Sequence, residues 1–187
     1  MRYTIRPAIS ADLQDLLALI HLKAQFDGCP SAVTATAQKL NNSIFAEQPL
    51  AHILLVEADP TNPSADPLTN GLVPIGFLSY YFTYSTFLAQ SSLWMDDLFL
   101  KSEYRNQAIG TRLMQQLCQI AHRQGCDRID WTVNIHNSAG IRFYQRMGGR
   151  LQSQVSLCRL DRAAILQLKD HDCVAQQTAQ HTSQHAP

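Results

Sequence analysis

Residues 93–100 read LWMDDLFL, residues 104–112 read YRNQAIGTR, and residues 134–149 read NIHNSAGIRFYQRMGG. The first stretch is apolar enough for a central strand, and the second turns the chain into a helix. A helix start leaves backbone N–H groups without intrahelical acceptors, and with the positive end of the helix dipole they form an anion site. Ala108 and Gly110 are small enough to let a diphosphate approach that backbone. In the third stretch a strand ends, Asn137 caps a helix, and Phe143 and Tyr144 fall two turns in. Taken singly, the segments read as an ordinary strand-to-helix turn and a capped amphipathic helix with core aromatics. Together they make an arrangement for holding a pyrophosphate-bearing cofactor beside an acceptor.

Working outward, Tyr3 to Arg6 alternates as a short strand ending at Pro7. Ser10 reads as the N-cap of a helix carrying Leu13, Leu16, Leu17 and Ile20 on one face. Gly28 and Pro30 break residues 26–36 into a loop, and a weakly amphipathic helix follows over Ala35 to Phe45. His52 to Ala58 is a strand. Residues 59–71, with three prolines and a glycine, read as a long mobile loop. Leu72 to Tyr84 is aromatic and β-prone. The strongest helical pattern is Gly110 to Arg123, with Leu113, Leu117, Ile120 and Ala121 in one stripe and Gly125 as the stop. Arg128 to Asn134 is a strand, Ser138 to Met147 a helix ended by Gly148 and Gly149, and 150–161 a final pair of strands before a helical turn reaching Leu168. The polar tail, residues 170–187, is expected to be disordered. Its His181 and His185 are four apart but lack an apolar helix face to hold them as a metal site.

The chain has 187 residues, 45% hydrophobic and 16% charged, which suits one globular domain over 1–169. No run approaches the roughly 18 apolar residues of a membrane span, and the N-terminus reads as a strand rather than a secretory signal. Zero net charge with scattered basic residues disfavours nucleic acid. The five cysteines show no CxxC and no metal-ligand spacing, so no metal is expected and a reducing cytoplasm is. Cys118 falls on an apolar helix face and reads as core.

The succession of strand, phosphate turn, helix, strand and Asn-capped helix ending FYxxxGG resembles the acetyl-CoA core of the GNAT N-acetyltransferases. The family pattern R/Q-x-x-G-x-G/A is met by Arg105-Asn106-Gln107-Ala108-Ile109-Gly110, with Ala108 in place of the usual first glycine. A methyl is tolerable there if that residue is helical; otherwise it crowds the phosphate. The segments IRPAISADLQDLLALI, GFLSYYFTY and LWMDDLFLKSEYR are similar to those of the diamine (spermidine/spermine-type) acetyltransferase subfamily. The resemblance implies an α/β (α+β) fold with a mixed central sheet of about six or seven strands flanked by helices, and a homodimer.

It also implies residue roles. The backbone of Leu98, Phe99 and Leu100 would pair with the pantetheine arm. The amides of Asn106, Gln107, Ala108, Ile109, Gly110 and Thr111, with Arg105 nearby, would hold the pyrophosphate. Asn137, Ala139, Gly140 and Arg146 would meet the far side of acetyl-CoA, the acetyl donor, and Tyr144 would be the general acid. Asp27, Asp96, Asp97, Tyr84 and Trp131 would serve the acceptor, a small-molecule amine. An alkylammonium cannot attack until it loses its proton, and Asp96 or Asp97 could bind it and pass that proton to water. Strand alternation sends the two carboxylates to opposite faces, so only one is expected to face the acceptor.

The subfamily's further acids are missing: Ser85, Thr86 and Phe87 follow YYFTY, and SQVSL stands at 153–157. Each exposed ion pair contributes only about 0–1 kcal/mol, so a short diamine suits these few carboxylates better than spermine. The alternatives are an amino-acid, thialysine-like or antibiotic amine, or a non-catalytic acetyl-CoA-binding module.

Overall fold

The computed structural model describes residues 1–60 and 71–169, which places most of the proline-rich loop and the whole tail, with His181 and His185, outside the described residues. The chain divides into two compact units at Asn134/Ile135.

The first unit is a mixed sheet in the order β1-β2-β3-β4-β5. Its strands are β1 (Tyr3–Pro7), β2 (His52–Ala58), β3 (Val73–Ser85), β4 (Gln90–Leu100) and β5 (Ile129–Asp130). The first four pair antiparallel and β4 pairs β5 in parallel. Helix α1 (Leu13–Phe26) covers one face, where Leu16 and Leu19 pack with Ile53, Leu55, Phe77 and Phe99. Helix α2 (Ala37–Ile44) adds Ile44 to that cluster. Helix α3 (Ile109–Arg123) packs on β4 and buries Ile109, Leu113, Met114, Leu117 and Ala121. That stripe turns slightly from the one expected: Met114 is inside, Ile120 is half-buried, and Cys118 is exposed rather than core.

Asp12, not Ser10, stands at the N-cap of α1, and its side chain closes the 3-10 turn Ser10–Asp12 ahead of the helix. The Asp12 carboxylate accepts the Ile9 N–H at 2.8 Å, and it also pairs with the Arg6 guanidinium at 2.7 Å. Arg6 forks to Glu57 as well, at 2.8 Å, tying β1 to β2 and to the turn before α1. Its hydrogen bonds hold the Asp12 carboxyl below the usual carboxylate range, against the opposing effect of burial.

The second unit carries α4 (Ser138–Arg146) and a helical stretch over 162–169. The strand pair expected at 150–161 is absent: these residues take no strand conformation. Val155 and Leu157 alternate as a strand would, yet they stand 71% and 66% exposed. Alternation is a local signal, and a strand also needs a ladder partner. Likewise only Ile129–Asp130 of the expected strand 128–134 pairs. The described sheet therefore has five strands rather than six or seven. No helix among the described residues is long and apolar enough to cross a membrane.

Candidate active site

A β-bulge at Asp96 organises the site. Ser79 pairs with Asp97 and Tyr80 with Met95, so Asp96 is an extra residue opposed by nothing on β3. Phe77, Ser79 and Tyr81 share one face of β3 by the two-residue period, and Phe77 identifies it as the α1 face. Their partners are Phe99, Asp97 and Trp94. Residues 94 and 97 can share a face only because the bulge shifts the period by one. The Trp94 side chain hydrogen-bonds the Asp96 carboxylate, which also feels the charges of Asp97 and Lys23. Both aspartates are thus gathered on the α1 side, where strict alternation would have separated them.

Asp96 is exposed, yet its carboxyl is pushed up, first by desolvation from surrounding protein atoms and then by the like charge of Asp97; Lys23 and Trp94 pull it back. Asp97 donates its backbone N–H to Ser79 Oγ at 3.0 Å and pairs through its carboxylate with Lys23 Nζ at 2.9 Å. The same Lys23 ammonium contacts Asp27 at the end of α1. Burial opposes the charge on Lys23, but the two carboxylates outweigh it and raise its pKa. Lys23, Asp27 and Asp97 line a cavity of about 350 Å³ with Cys29, Val33 and Thr34, a size suited to a small ligand.

Beyond Trp94, β4 has no ladder partner on its β5 side among the described residues, because β5 ends at Asp130. The N–H of Asp97 and the N–H of Lys101, which bonds Ile75 O at 2.9 Å, both turn toward β3. Alternation therefore aims the backbone of Leu98 and Leu100 at the open edge. The Leu100 carbonyl there accepts from Arg105 Nε at 2.8 Å. The Arg105 guanidinium also lies over the Phe26 ring, 4.4 Å from its centroid. Arg105 braces the turn onto the strand and α1 rather than standing free beside the helix start.

Between the 3-10 turn Ser102–Tyr104 and α3, Asn106 and Ala108 are left-handed, with φ of 61° and 60°. Ala108 is the N-cap and its carbonyl accepts from Arg112 N–H at 3.1 Å. The backbone N–H groups of residues 106–111 have no acceptor among the described residues. A run of unpaired donors at a helix start is the expected anion cradle. The condition for a harmless methyl at Ala108 is not met, since the residue is left-handed and not helical.

Tyr84 and Trp131 separate. Tyr84 shares its parity on β3 with Tyr80 and Phe82, so it faces away from the carboxylates, and it is 66% exposed near the hairpin. Trp131 is half-buried one residue past the Asp130–Trp94 pair. In the second unit, Asn137 Oδ1 accepts the Gly140 N–H at 2.9 Å, so the expected cap is present. A Cβ on Gly140 would come within 2.7 Å of the Asn137 side chain. Ala139 and Arg146 are exposed, Tyr144 is half-buried, and the Phe143 and Tyr144 rings lie 5.2 Å apart.

Lys23, Trp94 and Ser79 were not among the residues singled out in the sequence. Only Lys23 carried a signal, its i,i+4 spacing from Asp27.

Residues 34–149 match the family model described as the acetyltransferase (GNAT) family. The chain is 27% identical over 146 residues to a thialysine N-epsilon-acetyltransferase of Mus musculus, covering 78% of this chain and 83% of that protein. It is 31% identical over 147 residues to a spermidine/spermine N(1)-acetyltransferase-like protein of Homo sapiens, covering 78% of this chain but 20% of that one. An integron cassette protein from the mobile metagenome of V. cholerae has the same fold, with a TM-score of 0.69 at 23% identity over 90% of this chain and 98% of that one.

Proposed function

The chain belongs to the acetyltransferase (GNAT) family, and we propose that its acceptor is the primary amine of a compact small molecule, no longer than a short diamine. It is an N-acetyltransferase with acetyl-CoA as donor. The observation that supports the acceptor is the meeting of Asp27 and Asp97 at Lys23 in the cavity, with Asp96 next to Asp97 at the bulge of β4. Among the described residues the cavity is lined by two carboxylates, Asp27 and Asp97, which suits a short amine; a long polycation needs several spaced along its length.

The residues present fit the donor. The unpaired N–H groups of 106–111 would hold its pyrophosphate and the Leu98–Leu100 edge its pantetheine arm; Asn137 and the start of α4 are assigned to the donor from the family resemblance alone. When bound, acetyl-CoA supplies a thioester carbonyl open to attack and a thiolate leaving group. Asp96 and Asp97 would bind the acceptor's ammonium and pass its proton to water. The raised pKa of Asp96 suits that transfer. The Leu98 N–H would donate to the oxygen on which negative charge develops. Tyr144, assigned from its resemblance to the family's helix, would protonate the departing sulfur. Transfer is direct, in a ternary complex. The subfamily resemblance further suggests a homodimer working in the cytoplasm.

The test is release of free thiol from acetyl-CoA across a panel of amines. Short amines should give a higher kcat/KM than spermine; the reverse order would overturn the compact acceptor. Tyr144→Phe should lower kcat by 10-fold or more, on the order of a lost acid, while acetyl-CoA Kd stays within about 2-fold. An unchanged kcat would remove Tyr144 from the role.

A further inference from the structure

The two neighbouring acids of β4 are held in different ways. Asp97 pairs with Ser79 across the ladder, its N–H donates to Ser79 Oγ at 3.0 Å, and its carboxylate meets Lys23 Nζ at 2.9 Å. Asp96 has no ladder partner on β3 and makes no ion pair among the described residues. A bulged residue lacks the ladder bonds that set its neighbours' direction, so its side chain needs another hold. Trp94 supplies one. Its side chain hydrogen-bonds the Asp96 carboxylate, and the indole Nε1–H is the one donor that side chain has.

Trp94 is itself clamped. It stands opposite Tyr81 on β3 with the two rings stacked, 6.4 Å between centroids and 29° between planes. Its backbone pairs with Asp130 in the last rung before β4 and β5 part. An indole braced in this way has its N–H aimed before any acceptor arrives. The charges that act on Asp96 are Asp97 on its own strand and Lys23 from α1, and Asp96 in turn acts on the Tyr81 hydroxyl of β3. One donated bond takes one of about four lone-pair sites on a carboxylate, so the others stay free for an ammonium. We propose that Trp94 is a positioning residue of the amine site: its indole N–H holds the Asp96 carboxylate in one orientation where β4 leaves β5, so that the acceptor's ammonium meets a fixed carboxylate rather than a turning one. This rests on the acetyltransferase reading of the same site and adds to it a residue that acts through Asp96.

The chain has two tryptophans, so its proton–nitrogen NMR spectrum holds two indole signals, and Trp94→Phe identifies one of them. The Trp94 signal should titrate with Asp96, at a midpoint above the ordinary carboxyl value of 3.8, and should lose that titration in Asp96→Asn. Trp94→Phe keeps a ring against Tyr81 and removes the donor. It should lower kcat about 10-fold, on the order of one lost hydrogen bond to a charged group, with acetyl-CoA Kd unmoved. A carboxylate that loses a donor is harder to ionise, so the acid limb of the kcat profile should also move to higher pH, which lost packing alone would not do. Tyr81→Leu leaves the N–H but removes its brace; it should give a smaller loss and repeats the test should Trp94→Phe fold poorly. An indole signal that ignores pH in the carboxyl range, or a Trp94→Phe variant with wild-type kcat and an unmoved acid limb, would overturn the role of Trp94. No thiol release by the wild type with any amine of the panel would instead overturn the acceptor reading beneath it.

Discussion

At the scale of single residues, the donor turn holds a strain that one substitution can relieve. Ala108 occupies the left-handed region at φ 60°, where an L-residue with a Cβ costs about 1–2 kcal/mol and glycine nothing. Ala108→Gly should stabilise the fold by about 1 kcal/mol after the added unfolded-state freedom of glycine is counted. It should also lower acetyl-CoA Kd. Urea titration with and without the donor measures both, and a variant less stable than wild type would rule out the strain. Asn106, at φ 61°, is a residue type that tolerates the same region. The turn's position was legible in YRNQAIGTR, but the handedness of its cap was not: the sequence carries alanine there, and alanine is a helix former. Asp27, Asp96 and Asp97 stand out in the sequence as candidate acids because few carboxylates border the pattern. The meeting of Asp27 and Asp97 at Lys23 is not legible there, since Lys23–Asp97 is a contact between a helix and a strand far apart in the chain.

Among elements, β2 was readable to the residue because a run buried on both faces leaves little choice of boundary. The bulge in β4 was not, because a bulge is a mismatch between two strands and neither sequence alone contains it. The same β3–β4 contact supports a firm prediction. A Cβ on Gly76 would lie 2.3 Å from the Phe99 carbonyl oxygen and 3.1 Å from Leu100 Cα, both backbone atoms of the donor strand. Gly76→Ala should cost about 1–3 kcal/mol as an overpacked site and weaken acetyl-CoA binding by displacing the open edge. A variant with wild-type urea midpoint and wild-type donor affinity would show that β4 tolerates the shift. The missing strands at 150–161 teach the complementary lesson: an alternating pattern predicts a strand only where a neighbour accepts its hydrogen bonds.

For the molecule as a whole, the Arg6 fork joins the first strand, the second strand and the opening of α1. Asp12→Asn should lose about 2 kcal/mol at neutral pH, as expected for hydrogen bonds to a charged group. The folded pKa of Asp12 lies below its ordinary 3.8. Its contribution is therefore full above about pH 4 and fades as pH falls through the depressed folded value. Denaturation of wild type and variant at several pH values should show the gap closing on the acid side, and a gap that widened there would reverse the assignment. The open edge of β4 at Leu98 and the unpaired N–H groups of 106–111 have a consequence for how such a chain diversifies. A donor held by main-chain groups, as proposed, would ask little of side-chain identity beyond the turn's own conformation. The acids proposed for the acceptor are a handful of side chains on β4 and at the end of α1. On that reading, new substrates would arise by exchanging a few acceptor-side side chains while the donor's main-chain cradle is kept.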